Sequence, residues 1–297
     1  MDFSSSCKPR LAVVVLNYNS ANDCRVCVSY LRKQQGVELE IIIVDNHSCQ
    51  AEREKAEALC KETGCTFIPN DVNSGYNAGN NVGLRYAASK GYEYAAIANP
   101  DMEFPQADCL KKCLDKLISD NSVVVVAPDI VLPNGEHQNP QCHNLPTFWE
   151  IIFSPLKEIL AKFGLCRSLD LVEHDNISSR YCGKVSGCFF LIRMSFLKDI
   201  GFFDENIFLY CEEPILSYQV KSANRRMYYL AETYVVHRHL KAEKGNSSKR
   251  MKLLWKSQKY LMKTYLGFTR IQLACIFFIH NIIHRIILLF LKVKHRE

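Results

Sequence analysis

Short apolar strands alternate with helix-like segments through the first 132 residues, and this alternation limits the fold more than any other feature of the chain. The strand-like runs are LAVVVLNY (11–18), LEIIIVDN (39–46), CTFIPN (65–70), EYAAIANPD (93–101) and SVVVVAPDIVL (122–132). The segments between them have helical patterns, at residues 22–35, 50–63, 78–89 and 107–119. Continuous apolar strands separated by helices predict an α/β fold, with a mostly parallel central sheet flanked by helices.

Polar side chains follow several of these strands at the point where each strand ends. They are acids and amides: Asn17, Asn19, Asp45, Asn46, Asn99 and Asp101. Ligands of open α/β sheets bind beyond the carboxyl ends of the strands. The sequence therefore predicts a ligand site at this edge of the sheet.

The basic residues are concentrated at the C-terminal end. The 297-residue chain has a net charge of +6, yet residues 241–297 alone contain thirteen Lys or Arg and two Asp or Glu. The remainder of the chain is therefore mildly acidic. A basic tail on an acidic body predicts an anionic partner for the tail.

The apolar segment 265–297 has a polar stripe on one helical face, formed by Asn281, His284, Arg285 and Lys292. Because Arg285 interrupts the apolar run, a membrane-spanning helix is disfavoured. We expect an amphipathic helix that lies on a membrane surface, and a helix packed on the protein's own core is the alternative. Nucleic acid is disfavoured as a partner, because residues 271–291 suit lipid better than a phosphate backbone.

The fourteen cysteines show no convincing metal-site spacing, and the opening residues MDFSSSCKPR lack the apolar region of a signal peptide. We therefore expect free thiols in a reducing cytoplasm. Together with the basic tail, this predicts a peripheral protein on the inner face of the cell membrane.

Six motifs occur in a fixed order between residues 13 and 239. They are VVVLNYNS (13–20), IIIVDNHS (41–48), NSGYNAGNNVG (73–83), NPD (99–101), the segment from SGCFFLIR to CEEPIL (186–216) and VVHRH (235–239). This set resembles the family 2 glycosyltransferases, especially their rhamnosyltransferase-like branch. The resemblance implies a GT-A-type domain over residues 1–245, with an acceptor-side insertion at 134–182 and a separate amphipathic helical tail at 246–297.

The resemblance also implies a nucleotide-diphosphate sugar donor, UDP- or dTDP-linked. Its expected contacts are Asn17, Asn19, Asp45, Gly79, Asn80 and Asn99. The acceptor-only carboxylate of Asp45 suits the N–H of a uracil or thymine ring or a ribose hydroxyl, although it could instead cap the next helix.

Three glycines, Gly75, Gly79 and Gly83, lie four residues apart. This spacing is not G-x-G-x-x-G, so a dinucleotide-binding dehydrogenase is disfavoured. It permits a tight loop that runs into a helix, which would bring Gly79 and Asn80 close to the nucleotide sugar. A purely structural turn is the alternative.

Pro100 gives Asp101 a fixed place at the end of its strand. Proline lacks an N–H and restricts φ, so the strand cannot simply continue and Asp101 projects into the predicted cleft. The family's metal-binding motif ends in an acid at this position, which implies Mg²⁺ or Mn²⁺. Such ions often take only one or two ligands from protein. The resemblance adds His237 near the metal and diphosphate, with His239 as its competitor.

An acid pair, Glu212 and Glu213, occurs in YCEEPIL. An inverting transfer needs a base that removes the proton of the acceptor hydroxyl. The second acid of the family's pair is the usual base, which implies Glu213. Family members commonly carry another acid two positions later, where this chain has Ile215. Asp204 in GFFDEN is expected on the acceptor side, or as a residue that fixes the turn.

These observations predict an inverting, metal-dependent hexosyltransferase of surface polysaccharide synthesis. Its acceptor would be a glycan or a lipid-linked glycan, and a lipid carrier would account for the tail. The alternatives are a sugar-phosphate nucleotidylyltransferase and a non-catalytic, membrane-bound scaffold that binds nucleotide sugars. The first normally has a Gly-rich loop with Arg near its N-terminus, and LNYNSAND contains neither residue.

Overall fold

The computed structural model describes residues 8–141, 148–162, 177–238 and 247–294. Its helices and strands follow one another as β1 (Arg10–Asn17), α1 (Ala21–Leu31), β2 (Glu38–Asp45), α2 (Gln50–Thr63), β3 (Thr66–Pro69), α3 (Tyr76–Ser89), β4 (Tyr94–Ala98), β5 (Met102–Glu103), α4 (Cys109–Ser119), β6 (Val123–Val131), α5 (Phe148–Lys162), β7 (Arg180–Cys182), β8 (Phe189–Arg193), α6 (Met194–Asp199), α7 (Glu212–Ser222), β9 (Arg226–His237), α8 (Ser247–Thr264) and α9 (Arg270–Lys294).

Within these ranges nine strands form one sheet in the order β3-β2-β1-β4-β8-β6-β9-β5, and β7 pairs with β9. The pairs β1–β2, β1–β4, β2–β3 and β6–β9 are parallel, as predicted. Strand β8 lies between β4 and β6 and runs antiparallel to both. The predicted α/β fold is therefore confirmed, and its sheet is mixed because β8 enters from the opposite direction.

Both faces of the sheet are covered, as the continuous apolar strands predict. Alternate residues of β1 point to opposite faces, so Leu11, Val13 and Val15 join one core and Ala12 and Val14 join the other. The first core is completed by α1, α2 and α4, and the second by α3, α6 and α7. Burial on both faces leaves the carboxyl ends of the strands as the place where polar side chains can gather.

Strand β5 is only two residues long, but it decides where two of the predicted site residues meet. It pairs antiparallel with the end of β9, with Met102 opposite His237. The backbone N–H of Arg238 also donates to the carbonyl of Asp101 at 2.9 Å. Asp101 and His237 are distant in sequence, and this pairing brings them side by side.

The helices α5, α8 and α9 pack together around a smaller apolar cluster that contains Ile152, Met262, Leu273 and Ile276. Helix α5 lies in the predicted acceptor-side insertion, and it contacts the tail helix α9 through His280, whose Nε2 lies 3.1 Å from the carbonyl of Ile151. The predicted domain boundary at 245/246 and parts of the insertion (142–147 and 163–176) lie outside the described residues. In the described part of the chain, no helix has both the length and the apolarity to cross a membrane.

Every cysteine in the described ranges carries a free thiol. Cys24 and Cys27 lie in the core on α1, and burial raises the pKa of both thiols. Protonated thiols in an apolar core act as small hydrophobic side chains, so this Cys-x-x-Cys pair contributes packing.

Candidate active site

A cleft of about 500 Å³ opens at the carboxyl edge of the sheet. Its walls include Asn99, Pro100 and Asp101 from the end of β4, Asp23 from α1, and Phe208 from the loop before α7. Of the predicted site residues, Asn99 and Asp101 line this cleft directly. The volume is in the range of ligand pockets that hold molecules of nucleotide size.

Asn17 and Asp45 end neighbouring strands and pair in register, so they lie side by side beneath the cleft. Both are fully buried. Asn17 Nδ2 donates to Asp45 Oδ1 at 2.8 Å, and Asp45 Oδ2 accepts from the Ser48 N–H at 3.2 Å and from Arg53 Nε at 3.0 Å. Both carboxylate oxygens of Asp45 are thus satisfied by protein groups. In this structure Asp45 fixes the loop that leads into α2, and through it the floor of the cleft.

Asn19 supports the same loop from the other side. Its backbone is left-handed, with φ of 54°, and its Oδ1 accepts from the Cys49 N–H at 2.8 Å. Its own N–H donates to Ser48 Oγ at 2.9 Å. The structure therefore brings Asn17, Asn19 and Asp45 together in one network that joins the ends of β1 and β2.

Gly79 and Asn80 lie inside α3, where the helix packs on the sheet. A Cβ on Gly79 would lie 2.6 Å from Leu16 Cδ1 and 3.1 Å from Asn46 Cγ, so glycine lets the helix approach the strands closely. Asn80 is buried, and its Nδ2 donates to the Tyr76 carbonyl at 3.0 Å. Both residues thus lie behind the cleft wall, against β1 and β2.

Gly75 ends the loop before α3 with φ of +104° and touches the loop that carries Phe208. A Cβ there would lie 2.3 Å from the Phe208 carbonyl oxygen. We expect Gly75→Ala to lower the free energy of unfolding by about 3 kcal/mol, because strain and a backbone clash add together. Urea denaturation measures this loss.

Gly91→Ala is the matched control for that prediction. Gly91 has a similarly positive φ of +74°, but an added Cβ would meet nothing within 4 Å. The Gly91→Ala variant should lose only about 1 kcal/mol of unfolding free energy, which is the penalty of a left-handed backbone at alanine. Equal losses in the two variants would contradict a special contact between Gly75 and the Phe208 loop.

Asp101, in the wall of the cleft, contacts the side chain of His237. His237 Nε2 lies 3.3 Å from Asp101 Oδ2, and His237 Nδ1 lies 2.8 Å from Gln138 Oε1. Burial has the largest single effect and acts to lower the pKa of His237, but the hydrogen bonds and charge interactions with Asp101 and Cys188 together outweigh it, and the pKa is raised to about 10. The imidazole is therefore protonated at neutral pH in this structure and balances the charge of Asp101.

These two side chains fit one edge of a divalent metal site. The Asp101 carboxylate keeps 23% of its surface exposed in the cleft and is the hard oxygen ligand that Mn²⁺ and Mg²⁺ take, whereas the imidazole of His237 would have to give up a proton before it could bind an ion. Within the described ranges no cluster of three or more His, Cys, Asp or Glu side chains could enclose an ion. The remaining ligands would have to come from phosphate and water. His239 lies outside the described residues.

Asp23 is a cleft residue that the sequence reasoning missed. It lies in the first turn of α1 and lines the cleft with Asp101. Burial raises the pKa of Asp23, and the negative charge of Asp101 raises it further. A signal was available, since an acid three residues after Ser20 occupies the first turn of a helix that begins at a strand end.

The acid pair begins α7, directly after two residues in the left-handed region, Tyr210 and Cys211 (φ of 72° and 70°). Such a conformation is costly outside glycine and is found where function demands a fixed geometry. Burial, followed by repulsion from Glu213, raises the pKa of Glu212 to about 7. Glu212 therefore changes its charge near neutral pH, directly beside Glu213.

Glu213 lines a second pocket of about 390 Å³. The second pocket is lined by Glu213 together with Gln138, Gln141 and Lys184, among others. Glu213 Oε1 accepts from the Gly187 N–H at 3.2 Å.

Two hydrogen-bonded routes join this pocket to the cleft. Tyr76 Oη lies 2.8 Å from the Gly187 carbonyl and 2.9 Å from Asn99 Oδ1, and Gln138 contacts His237. Burial raises the pKa of the Tyr76 hydroxyl, which therefore stays a donor. Hydrogen-bonded residues thus connect the pocket that Glu213 lines with the residues predicted to bind a metal.

Glu212→Gln should stabilise the protein at high pH. The folded-state pKa of about 7 exceeds the ordinary value of 4.5, so folding favours the protonated form. Its stabilising contribution is complete below about pH 4.5 and is lost as the pH rises through 7. We expect the variant to gain about 2 kcal/mol in unfolding free energy at pH 8 and almost nothing at pH 4. Denaturant titrations at the two pH values measure the difference, and an equal gain at both would contradict it.

Asp204 is held by the tail. Its Oδ2 accepts from the hydroxyls of Tyr260 and Tyr265 at 2.8 and 2.6 Å, and its Oδ1 accepts from the N–H of Asn206 at 2.9 Å. Burial acts to raise the pKa of Asp204, but these hydrogen bonds outweigh it and lower the pKa. In this structure Asp204 ties α8 to the loop before α7, which corresponds to the turn-fixing alternative of the sequence analysis.

Comparison with known proteins places this arrangement in a family. The sequence model described as "Glycosyl transferase family 2" matches residues 12–180, which is more than half of the chain. The chain belongs to glycosyl transferase family 2.

A curated relative of this family 2 chain is the low-salt glycan biosynthesis hexosyltransferase Agl10 of Haloferax volcanii. The two are 26% identical over 215 residues, which cover 72% of this chain and 62% of Agl10. The family 2 chain thus spans less than two thirds of the length of that relative.

Solved structures confirm the GT-A fold of the family 2 chain. Mannosyltransferase PcManGT of Pyrobaculum calidifontis, in complex with GDP-Man and Mn²⁺, has a TM-score of 0.58 at 15% identity and covers 94% of this chain and 71% of its own. GalNAc-T7 with UDP, GalNAc and Mn²⁺ has a TM-score of 0.63 at 13% identity, and the match covers 87% of this chain and 48% of GalNAc-T7. S. aureus TarS has a TM-score of 0.52 at 16% identity and covers 86% and 72%.

Proposed function

We propose that this family 2 chain transfers a hexose, with inversion and with the help of a divalent metal, from a nucleotide-diphosphate sugar to a glycan acceptor. The observation that carries the proposal is Asp101, a carboxylate fixed at the end of β4, exposed in a nucleotide-sized cleft and paired with His237. The named activity of the relative, a hexosyltransferase of glycan biosynthesis, supports it.

Asp101 and His237 would hold the metal, Mg²⁺ or Mn²⁺, which when bound would supply positive charge against the departing diphosphate. The contribution of the protein's own residues is to position these two side chains. Pro100 and the pairing of β5 with β9 fix Asp101, while Gln138 orients the imidazole of His237 through its Nδ1. Since structures of two neighbours are named as Mn²⁺ complexes, the same ion is the first to test.

The donor would bind in the cleft, with Asn99 beside the diphosphate and the Asn17–Asp45 network beneath the nucleoside. The Asp45 carboxylate would contact a base or a ribose if Arg53 moved away from it. Without that movement, the network would act by ordering the loop that contacts the nucleoside. We propose UDP or dTDP as the carrier, and the neighbours are named with UDP or GDP-Man.

The acceptor would bind in the pocket beside Glu213. There Glu213 removes the proton of the attacking hydroxyl. The hydroxyl oxygen attacks the face of the sugar opposite the diphosphate, the diphosphate leaves, and the anomeric centre is inverted. Glu212, whose pKa is raised to about 7 by burial and by the charge of Glu213, would modulate the charge beside this base near neutral pH. Gln138, Gln141 and Lys184 offer donors to sugar hydroxyls or to the phosphate of a lipid-linked glycan.

The experiment is a panel of UDP-, dTDP- and GDP-linked sugars with Mn²⁺ or Mg²⁺, scored for release of nucleoside diphosphate. Thermal shifts with the same panel report binding where turnover needs an absent acceptor. A nucleotidylyltransferase would instead make nucleotide sugar from a nucleoside triphosphate and a sugar phosphate. A scaffold would bind the donor without turnover whatever acceptor is added.

A further inference from the structure

Helix α9 carries a second apolar face besides the one that packs on α5 and α8. Leu273 and Ile276 belong to the packed face and are buried. Ile271, Phe278 and Ile282 follow one another at spacings of seven and four, which places them on one other face, and they are 76%, 66% and 41% exposed. The exposed Arg285, seven residues after Phe278, lies on the same face. This exposed apolar stripe of α9 is not needed for the packing of the helix on the protein.

Helix α8 adds basic charge next to exposed apolar side chains. Lys252, Lys256, Lys259 and Lys263 recur at spacings of four, three and four, so they form one exposed lysine stripe. Met251 and Trp255, on the neighbouring face, are also exposed, and the Trp255 ring lies 6.4 Å from that of Phe277 on α9. Residues 247–294 contain no Asp or Glu that would neutralise these lysines.

We propose that the exposed apolar stripe of α9 and the lysine stripe of α8 together bind the surface of an anionic lipid bilayer. Apolar side chains would enter the headgroup boundary while the lysines meet lipid phosphates, the pattern of interfacial helices. Nucleic acid would use the lysines but leave Ile271, Phe278 and Ile282 in water. A second copy of the chain would bring two lysine stripes together, and their charges repel each other.

Helix α8 also supports a loop that forms part of the cleft wall. Ser257 Oγ donates to the Leu209 carbonyl at 2.7 Å, and Tyr260 and Tyr265 hold Asp204, so the loop from 204 to 209 is attached to this helix. Leu209 and Phe208 line the cleft. Docking of α8 and α9 on lipid would therefore hold the cleft at the bilayer surface, where a lipid-linked acceptor is available. The binding proposal does not depend on glycosyl transfer.

The test is co-sedimentation of the full chain with phosphatidylcholine vesicles that contain phosphatidylglycerol, and with pure phosphatidylcholine vesicles. We expect strong binding to the vesicles that contain phosphatidylglycerol and weak binding to pure phosphatidylcholine vesicles. Added salt should release the protein from the anionic vesicles. Phe278→Glu with Ile282→Glu should weaken binding at least tenfold, and glutamine at Lys252, Lys256, Lys259 and Lys263 should do the same. Ile118→Glu, on the exposed face of α4, is the apolar-to-acid control, and glutamine at Lys33, Lys61 and Lys90 is the charge control.

Each variant is checked by its thermal midpoint and by binding of nucleotide with Mn²⁺, so that loss of folding is distinguished from loss of the surface. Equal binding to neutral and anionic vesicles, or equal effects of the stripe variants and the controls, would overturn the proposal. A concentration-dependent dimer that Phe278→Glu dissolves, without vesicle binding, would assign the surface to a second copy instead. Glycosyl transfer without vesicle binding would refute this proposal and leave the proposed function standing.

Discussion

Asp101→Asn is expected to lower sugar transfer at least a hundredfold while leaving the protein folded. The asparagine keeps the size of the side chain but removes the negative charge that faces the cleft and pairs with His237. Loss of several kcal/mol of charge stabilisation at the diphosphate corresponds to two or more powers of ten in rate. Initial rates at saturating donor, measured over a range of Mn²⁺ concentrations, give the effect.

The control for Asp101 is Asp115→Asn on α4. Asp115 pairs with Lys111 on the surface, and such exposed pairs contribute little. Its activity should equal that of the unchanged chain. The Asp101 variant should also lose the increase in thermal midpoint that Mn²⁺ with nucleoside diphosphate gives the parent. A fully active Asp101→Asn enzyme would refute the metal role and with it the proposed function.

Glu213→Gln is expected to lower the transfer rate by about 10²–10⁴ and to leave donor binding intact. The glutamine carbonyl can still accept from the Gly187 N–H, so the local structure is kept, while the ability to take a proton is lost. Glu213 does not line the donor cleft. Single-turnover rates and donor titrations in parallel separate the two effects.

Glu136→Gln serves as the control, since Glu136 lines the same second pocket on its exposed rim. It should retain its transfer rate. The parent's rate should rise with pH through about 7, because Glu212 loses its proton there and the new negative charge beside Glu213 favours removal of the acceptor's proton. If Glu212→Gln were inactive and Glu213→Gln were active, the general base would be Glu212 instead of Glu213.

The first half of the fold was predictable because each strand and helix there has a strong local pattern. The strands β1, β2 and β6 are apolar runs of eight or nine residues, and β3 and β4 are shorter ones. The order of βα units then favours a parallel sheet. The short strands β5 and β7 have too few residues for any periodicity, and the antiparallel place of β8 depends on which partners remain free. Those features arise from tertiary packing, which no local pattern contains.

The candidate site was predictable where a residue ends a strand, and not where a helix or a long-range contact supplies it. Asn99 and Asp101 line the cleft as their positions indicate. Asp23 was missed because it belongs to a helix, and the hydrogen bonds of Asp204 to Tyr260 and Tyr265 join segments more than fifty residues apart. Gly79 looked like a ligand-binding residue from spacing alone, and its close approach to Leu16 became visible only in three dimensions.

The attachment of Asp204 to two tyrosines of the tail has a practical side. A shortened protein that stops after residue 239 would keep every residue of the family motifs. It would nevertheless remove both hydroxyl donors from one carboxylate oxygen of Asp204 and release Leu209 from Ser257. Enzymologists who trim the tail to gain solubility would then be assaying an enzyme with a loosened donor pocket, and weak turnover by that fragment would say little about the natural catalyst.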